Sequence, residues 1–191
     1  MNSELVEILK DDVFINEHCH QNLIEVEKLL KRLGNRKFSS FLEIGGCHGG
    51  SLWIYTNLLI NFAGKVIVLD IDVNQDLKNV VWKLNRLGYQ VTSYEKHSLG
   101  FLRNFDGEFD FVHIDGQHDY HVIKQEFALV YPKLKKHGII LLHDTFNFRI
   151  TSGAHIGCVD FREELEQKYR CENFISNDSS VCGITLLEKN V

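Results

Sequence analysis

The 191-residue chain is 44% hydrophobic, long enough for one full core and too short for two comfortable ones, and its single proline, Pro132, marks no interdomain linker. A net charge of −5, with no basic block beyond KLKK at 133–136, offers no electrostatic footprint for a polyanion, so nucleic acid is not an expected partner. No apolar run reaches the roughly 18 residues of a membrane span, the start MNSELVEILKDD is acidic where a signal peptide is basic and apolar, and five scattered cysteines form no CxxC pair; the expectation is a cytoplasmic protein with reduced thiols and no membrane partner.

Leu23, Val26, Leu30 and Leu33 recur at helical spacing and stop at Gly34, which predicts a cover helix within an N-terminal region of residues 1–37. The remainder, residues 38–191, reads as the body of the same globular domain. FSSFLEI (38–44) is a strand candidate, and SLWIYTNLLINF, after GGCHGG, is a helix packed against a sheet. KVIVLD (65–70) is an apolar strand; Leu77, Val80, Val81, Leu84 and Leu87 then mark a helical face. GYQVTSYE (88–95) and FDFVHI (109–114) are the third and fourth strands. Val122, Ile123, Phe127, Val130 and Tyr131 line one side of a helix that ends near Pro132, because the residue before a proline is pushed out of the helical region. GIILLH (138–143) is the fifth strand, Phe161, Leu165 and Tyr169 suggest a helix, and CENFIS and VCGITLLEK flank the turn-rich NDSS as a hairpin.

Apolar strands alternating with helices, without polar alternation inside the strands, predict a sheet covered on both faces. The expected fold is α/β and doubly wound: a mostly parallel seven-stranded sheet with an antiparallel last strand.

In such a sheet ligands sit outside the carboxyl ends of the strands, so the residues following each apolar run are the candidate site. The first turn, LEIGGCHGGS, carries Glu43, Gly45, Gly46 and Gly49. Its order matches neither G-x-G-x-x-G nor the phosphate-binding loop. A carboxylate just before the glycines suits an amino group and a sulfonium better than a pyrophosphate, which favours S-adenosylmethionine over NAD. Asp70, at the end of the second strand, stands where an acid accepts hydrogen bonds from ribose hydroxyls. The stretch FVHIDGQHDYH crowds Asp115, His118, Asp119 and His121 behind a strand. It reads either as a catalytic or metal site or as the polar first turn of a helix.

LEIGGCHGGS, VLDID, FDFVHIDGQHDY and GIILLHDT, in this order, resemble the class I S-adenosylmethionine-dependent methyltransferases. IDGxHxY and LHDT resemble in particular the small-molecule O-methyltransferases that include macrolide-sugar methyltransferases and cephalosporin-hydroxylase-like proteins. The resemblance spans residues 38–188. It implies methyl transfer to a hydroxyl of a small acceptor, a sugar or a natural product, with Glu43, Gly45, Gly46 and Gly49 shaping the methionine and ribose pocket, Asp70 holding the ribose, Ser98 near the adenine, and Asp115 beside the cofactor. It also implies a place for Mg²⁺ or Mn²⁺ at Asp115, His143 and Asp144; His118, three positions after Asp115 at the start of the next helix, faces the same cleft as the expected general base. Cys47 and His97 depart from the family's usual glycine and acid. The alternatives are a noncatalytic S-adenosylmethionine- or nucleotide-binding module and a nicotinamide-dependent oxidoreductase. The acceptor, specified by residues 1–37 and 146–157, and any homo-oligomer are left open.

Overall fold

The structure, a computed structural model, describes residues 17–146, 156–177 and 182–190. The first helix, α1 (Leu23–Leu33), begins where the Asn22 side chain accepts from the backbone N–H of Ile24 and Glu25, and ends at Gly34 with φ 59°. That N-cap pairs two of the free N–H groups at the start, and the Gly34 N–H donates to the Leu30 carbonyl at the end. Residues 1–16 of the expected cover region lie outside the described residues.

There follow β1 (Phe38–Ile44), α2 (Gly50–Leu59), β2 (Ile60–Asp70), α3 (Gln75–Arg86), β3 (Gln90–Glu95), α4 (Ser98–Arg103), β4 (Phe109–Ile114), α5 (Tyr120–Val130), β5 (Leu134–Leu142), α6 (Ile156–Glu166), β6 (Cys171–Phe174) and β7 (Ile184–Glu188). The seven strands form one sheet in the order β3-β2-β1-β4-β5-β7-β6. The first five run parallel and β7 runs antiparallel to both its neighbours, which is the expected doubly wound arrangement with a reversed final strand. The chain winds outward from β1 to β3 and then returns to the other side of β1, so the winding reverses between β1 and β4.

Residues alternate between the two faces of each strand. Phe41, Phe111 and Leu141 pack under α1, α2 and α3, while Leu42, Val112 and Ile140 pack under α5 and α6. On the first face Phe41 stacks on Phe111 with centroids 4.5 Å apart, and Tyr55 meets both rings edge-on. Burying an aromatic or branched side chain of this size stabilises by about 1.5 to 3 kcal/mol, which is why the strands read as unbroken apolar runs.

Two strands start earlier than the sequence suggests. The helix expected through Phe62 stops at Leu59, and β2 begins at Ile60 instead of Lys65; β5 begins at Leu134 instead of Gly138. In each case the pairing register shifts, between Phe38 and Ser40 opposite β2 and between Phe109 and Phe111 opposite β5. The extra residues are taken up by left-handed backbone at Ala63 (φ 59°) and His137 (φ 61°). A bulge breaks the period-two pattern that makes a strand legible. The tail is held by Glu25, a fully buried carboxylate of α1 that accepts from the backbone N–H of Ser176 and Gly183 on either side of the β6–β7 connection. Most of NDSS, the expected hairpin turn, lies outside the described residues, as do most of residues 146–157. No helix among the described residues is long and apolar enough to cross a membrane.

Candidate active site

A cleft of about 880 Å³ opens at the carboxyl ends of the strands, where the winding reverses. Gly45, Gly46, Asp70, Ser98, Asp115, His118, His143 and Asp144 all line it, so the fold gathers eight of the ten predicted residues around one cavity. Glu43 and Gly49 do not reach its wall.

Gly45 has φ 91°, and a Cβ there would stand 2.1 Å from the Asp115 carbonyl oxygen. Only glycine permits that approach, and it brings the two turns at the end of β1 and β4 together. Gly49, also left-handed, packs against Val80 of α3 and shapes the loop from behind. Cys47 takes φ 47°, a conformation glycine adopts without strain. Its N–H donates to Asp70 Oδ2 at 2.8 Å, while Asp70 Oδ1 accepts from the N–H of Asp72 at 3.0 Å. Asp70 thus ties the glycine loop to the end of β2 on the wall of the cleft.

Glu43 departs from its expected place. It is fully buried beneath the cleft, its Oε1 3.1 Å from His113 Nδ1. Burial raises its pKa, against the smaller lowering by His113. The anionic wall is supplied by Asp115 and Asp144. Burial would raise the Asp115 carboxyl, but the neighbouring imidazoles of His143 and His118 outweigh it and hold the group far below the usual carboxylate range.

Asp115, His118 and Asp144 form the centre of the site. His118 Nε2 lies 3.6 Å from Asp115 Oδ1 and 3.3 Å from Asp144 Oδ2. Burial lowers its pKa, and the carboxylates of Asp115 and Asp144 beside its ring raise it by more, so it stands above the usual 6.5. His118 precedes the helix it was expected to start: Asp119 is the N-cap of α5, accepting from the N–H of His121 and Val122. Asp144 is held at φ 58°, a left-handed turn that swings its carboxylate back towards β4.

His143 sits behind this group, with Nδ1 3.2 Å from Asp115 Oδ1 and 3.5 Å from Asp144 Oδ2. Burial opposes its charge, but Asp115 and Asp144 push its pKa up to about 10. Asp115, His118 and Asp144 offer donors that converge within 4.8 Å of one another, and the expected His143 lies as near to both carboxylates as His118 does.

Two further residues were not singled out from the sequence. Gln21 donates its amide to Asp115 Oδ2 at 2.9 Å and accepts from the Tyr55 hydroxyl at 3.2 Å. Glu126, on the cleft wall, accepts from the Ser98 hydroxyl, while its buried Oε2 has no hydrogen-bond partner among the described residues. Burial raises its pKa to about 7, against the smaller lowering by Ser98. The signal was present for Glu126: with Ile123, Phe127 and Val130 it falls on the apolar face of α5, where an acid is out of place.

Residues 42–145 match a family described as a methyltransferase domain. No curated protein matches the chain. Among solved structures, the O-methyltransferase TomG from Streptomyces achromogenes, involved in tomaymycin synthesis and in complex with S-adenosylmethionine, superposes with a TM-score of 0.69 at 16% identity, covering 100% of this chain and 91% of that one. An O-methyltransferase from Bacillus cereus in complex with S-adenosylhomocysteine gives 0.64 at 18% identity, covering 99% and 92%. An rRNA methylase from Streptococcus thermophilus also gives 0.64, at 12% identity, covering 90% and 98%.

Proposed function

The chain belongs to the methyltransferase-domain family, and from that premise we propose that it transfers the methyl group of S-adenosylmethionine to a hydroxyl of a small molecule, a sugar or a natural product. The observation that carries the hydroxyl assignment is His118, an imidazole held between two carboxylates on the wall of the cleft.

The cavity suits the cofactor at both ends. The Gly45–Cys47 backbone and Asp70 cradle the ribose, and Ser98 with the unpartnered Oε2 of Glu126 offers hydrogen-bonding groups to the adenine. Asp115 takes the role expected of Glu43, facing the amino group and sulfonium with a carboxylate that stays ionised. When bound, S-adenosylmethionine supplies a methyl group already activated on sulfur. The protein then orients the acceptor oxygen in line and removes one proton. His118 keeps its Nε2–H towards the carboxylates and takes that proton at Nδ1, and Asp115 and Asp144 stabilise the imidazolium that forms. O-methylation in TomG and the Bacillus cereus enzyme supports this choice of acceptor atom.

The same three donors fit a divalent cation: Asp115, His118 and Asp144 would hold Mg²⁺ or Mn²⁺, which would lower the pKa of an acceptor hydroxyl. His118 cannot be ligand and base at once. We take His118 as the base, because it is the partly exposed imidazole held beside both carboxylates on the cleft wall. A reduced, cytoplasmic setting belongs to the same proposal and rests on the five scattered cysteines.

Incubation with methyl-labelled S-adenosylmethionine and a panel of hydroxylated sugars and phenols tests the acceptor. Label on oxygen, lost in His118→Ala, is the expected result. Label appearing on nitrogen or on RNA instead overturns the hydroxyl assignment.

A further inference from the structure

Away from the acid and imidazole cluster, three separate segments bring metal-ligating side chains to the rim of the cleft. His18 precedes α1, His48 lies in the glycine loop, and Asp76 stands in the first turn of α3. One donor atom of each lies within 4.8 Å of the other two. His48 Nδ1 is 2.9 Å from Asp76 Oδ2, and the His18 and His48 rings meet edge-on with centroids 5.2 Å apart. His20 brings a further ring to 6.1 Å from His48.

The convergence is made by the fold. A Cβ on Gly50 would stand 2.6 Å from the Cys19 Cα, so the glycine is what lets the segment of His18 cross the start of α2. Asn74 Nδ2 donates to the Cys47 carbonyl at 2.9 Å and fixes the glycine loop against the start of α3. An ion pair as exposed as His48–Asp76, with side chains 36% and 33% accessible, contributes little by itself and does not explain why a second histidine joins it.

We propose that His18, His48 and Asp76 bind a transition-metal cation of the Zn²⁺ class, clamping the segment before α1 across the glycine loop. Two imidazoles and one carboxylate suit Zn²⁺, Ni²⁺ or Cu²⁺ in preference to Mg²⁺ or Ca²⁺. Three protein ligands at about 2.0 to 2.2 Å leave a fourth tetrahedral position for water or for His20. His18 and His48 both line the cleft, and the clamp fixes the segment whose Gln21 reaches Asp115. The site stands independently of the methyl-transfer reading, since none of its ligands belongs to the Asp115–His118–Asp144 group.

Zn²⁺ titrated into the full chain against a competing chromophoric chelator tests it, with wild type beside His18→Ala, Asp76→Asn and Asp115→Asn. The expected result is one Zn²⁺ whose affinity falls at least about tenfold in His18→Ala and in Asp76→Asn and is kept in Asp115→Asn. Far-ultraviolet circular dichroism confirms that each variant is folded. Equal Zn²⁺ affinity in the wild type and both rim variants, including no binding by any of them, overturns the proposal. So does a loss confined to Asp115→Asn, which would put the ion in the catalytic cluster.

Discussion

Gln21 and Asp115, 94 positions apart in the chain, meet across the cleft through a 2.9 Å hydrogen bond from the Gln21 amide to the Asp115 carboxylate. The same Gln21 accepts from the buried Tyr55 hydroxyl, so one side chain couples the segment before α1 to the end of β4. Gln21→Ala leaves both partners without this contact. Its expected cost is about 1 to 3 kcal/mol of stability, read as a lower urea midpoint with an unchanged slope.

The pH dependence of methyl transfer follows from the raised pKa of His118. The base acts as neutral imidazole, so kcat/KM falls as the pH drops through a pKa above 6.5 and levels off on the alkaline side. Asp144→Asn removes one of the charges that raises this pKa, and the acid limb moves to lower pH. His118→Ala removes the limb and about 10² to 10⁴ of the turnover. A pH–rate profile of the three proteins checks all of this; a limb that stays in place in His118→Ala assigns the base elsewhere.

Much of this site was legible as sequence, because a parallel sheet places its chemistry at fixed points after each apolar strand. Asp70, Asp115 and Asp144 were found in that way, and the cleft gathers them. Glu43 was misplaced for a physical reason: it is still within β1, where side chains alternate between faces, and its side chain is buried against His113 on the paired strand β4. Gln21 could not be read at all, since nothing local distinguishes an amide that bonds 94 residues away. The early starts of β2 and β5 were hidden by bulges at Ala63 and His137, which interrupt the apolar pattern with exposed residues.

Glu126 makes stability depend on pH in the opposite sense to an ordinary carboxylate. Its folded pKa is raised from 4.5 to about 7, so its contribution is fully present below 4.5 and is lost as the pH rises through about 7. The span corresponds to on the order of 3 kcal/mol. Glu126→Gln, which keeps a neutral group of the same shape, should flatten stability between these values and leave the protein more stable than wild type at pH 8. Urea unfolding of both proteins at pH 5 and pH 8 checks it; parallel losses in the two would contradict it.

Cys47, at φ 47°, carries backbone strain that glycine would relieve, and its role towards Asp70 is played by its N–H alone. Cys47→Gly is expected to raise stability by about 0.5 to 1 kcal/mol after the entropic cost of glycine, with cofactor affinity unchanged. Thermal unfolding with and without S-adenosylhomocysteine measures both.

Asp70 should behave as a binding residue. Asp70→Ala removes charged acceptors worth about 1.5 to 3 kcal/mol each, so S-adenosylhomocysteine should bind at least about tenfold more weakly while the protein stays folded. Calorimetry on wild type and variant reads the difference, and equal affinities would reduce Asp70 to an organiser of the glycine loop.

The most direct test of the account is calorimetric titration of the wild-type protein with S-adenosylhomocysteine and, separately, with NAD. The cleft lacks a pyrophosphate-cradling fingerprint and faces its ligand with the carboxylates of Asp115 and Asp144. One S-adenosylhomocysteine bound per chain, with no heat from NAD, is the predicted result. Tight binding of NAD with no response to S-adenosylhomocysteine would contradict it.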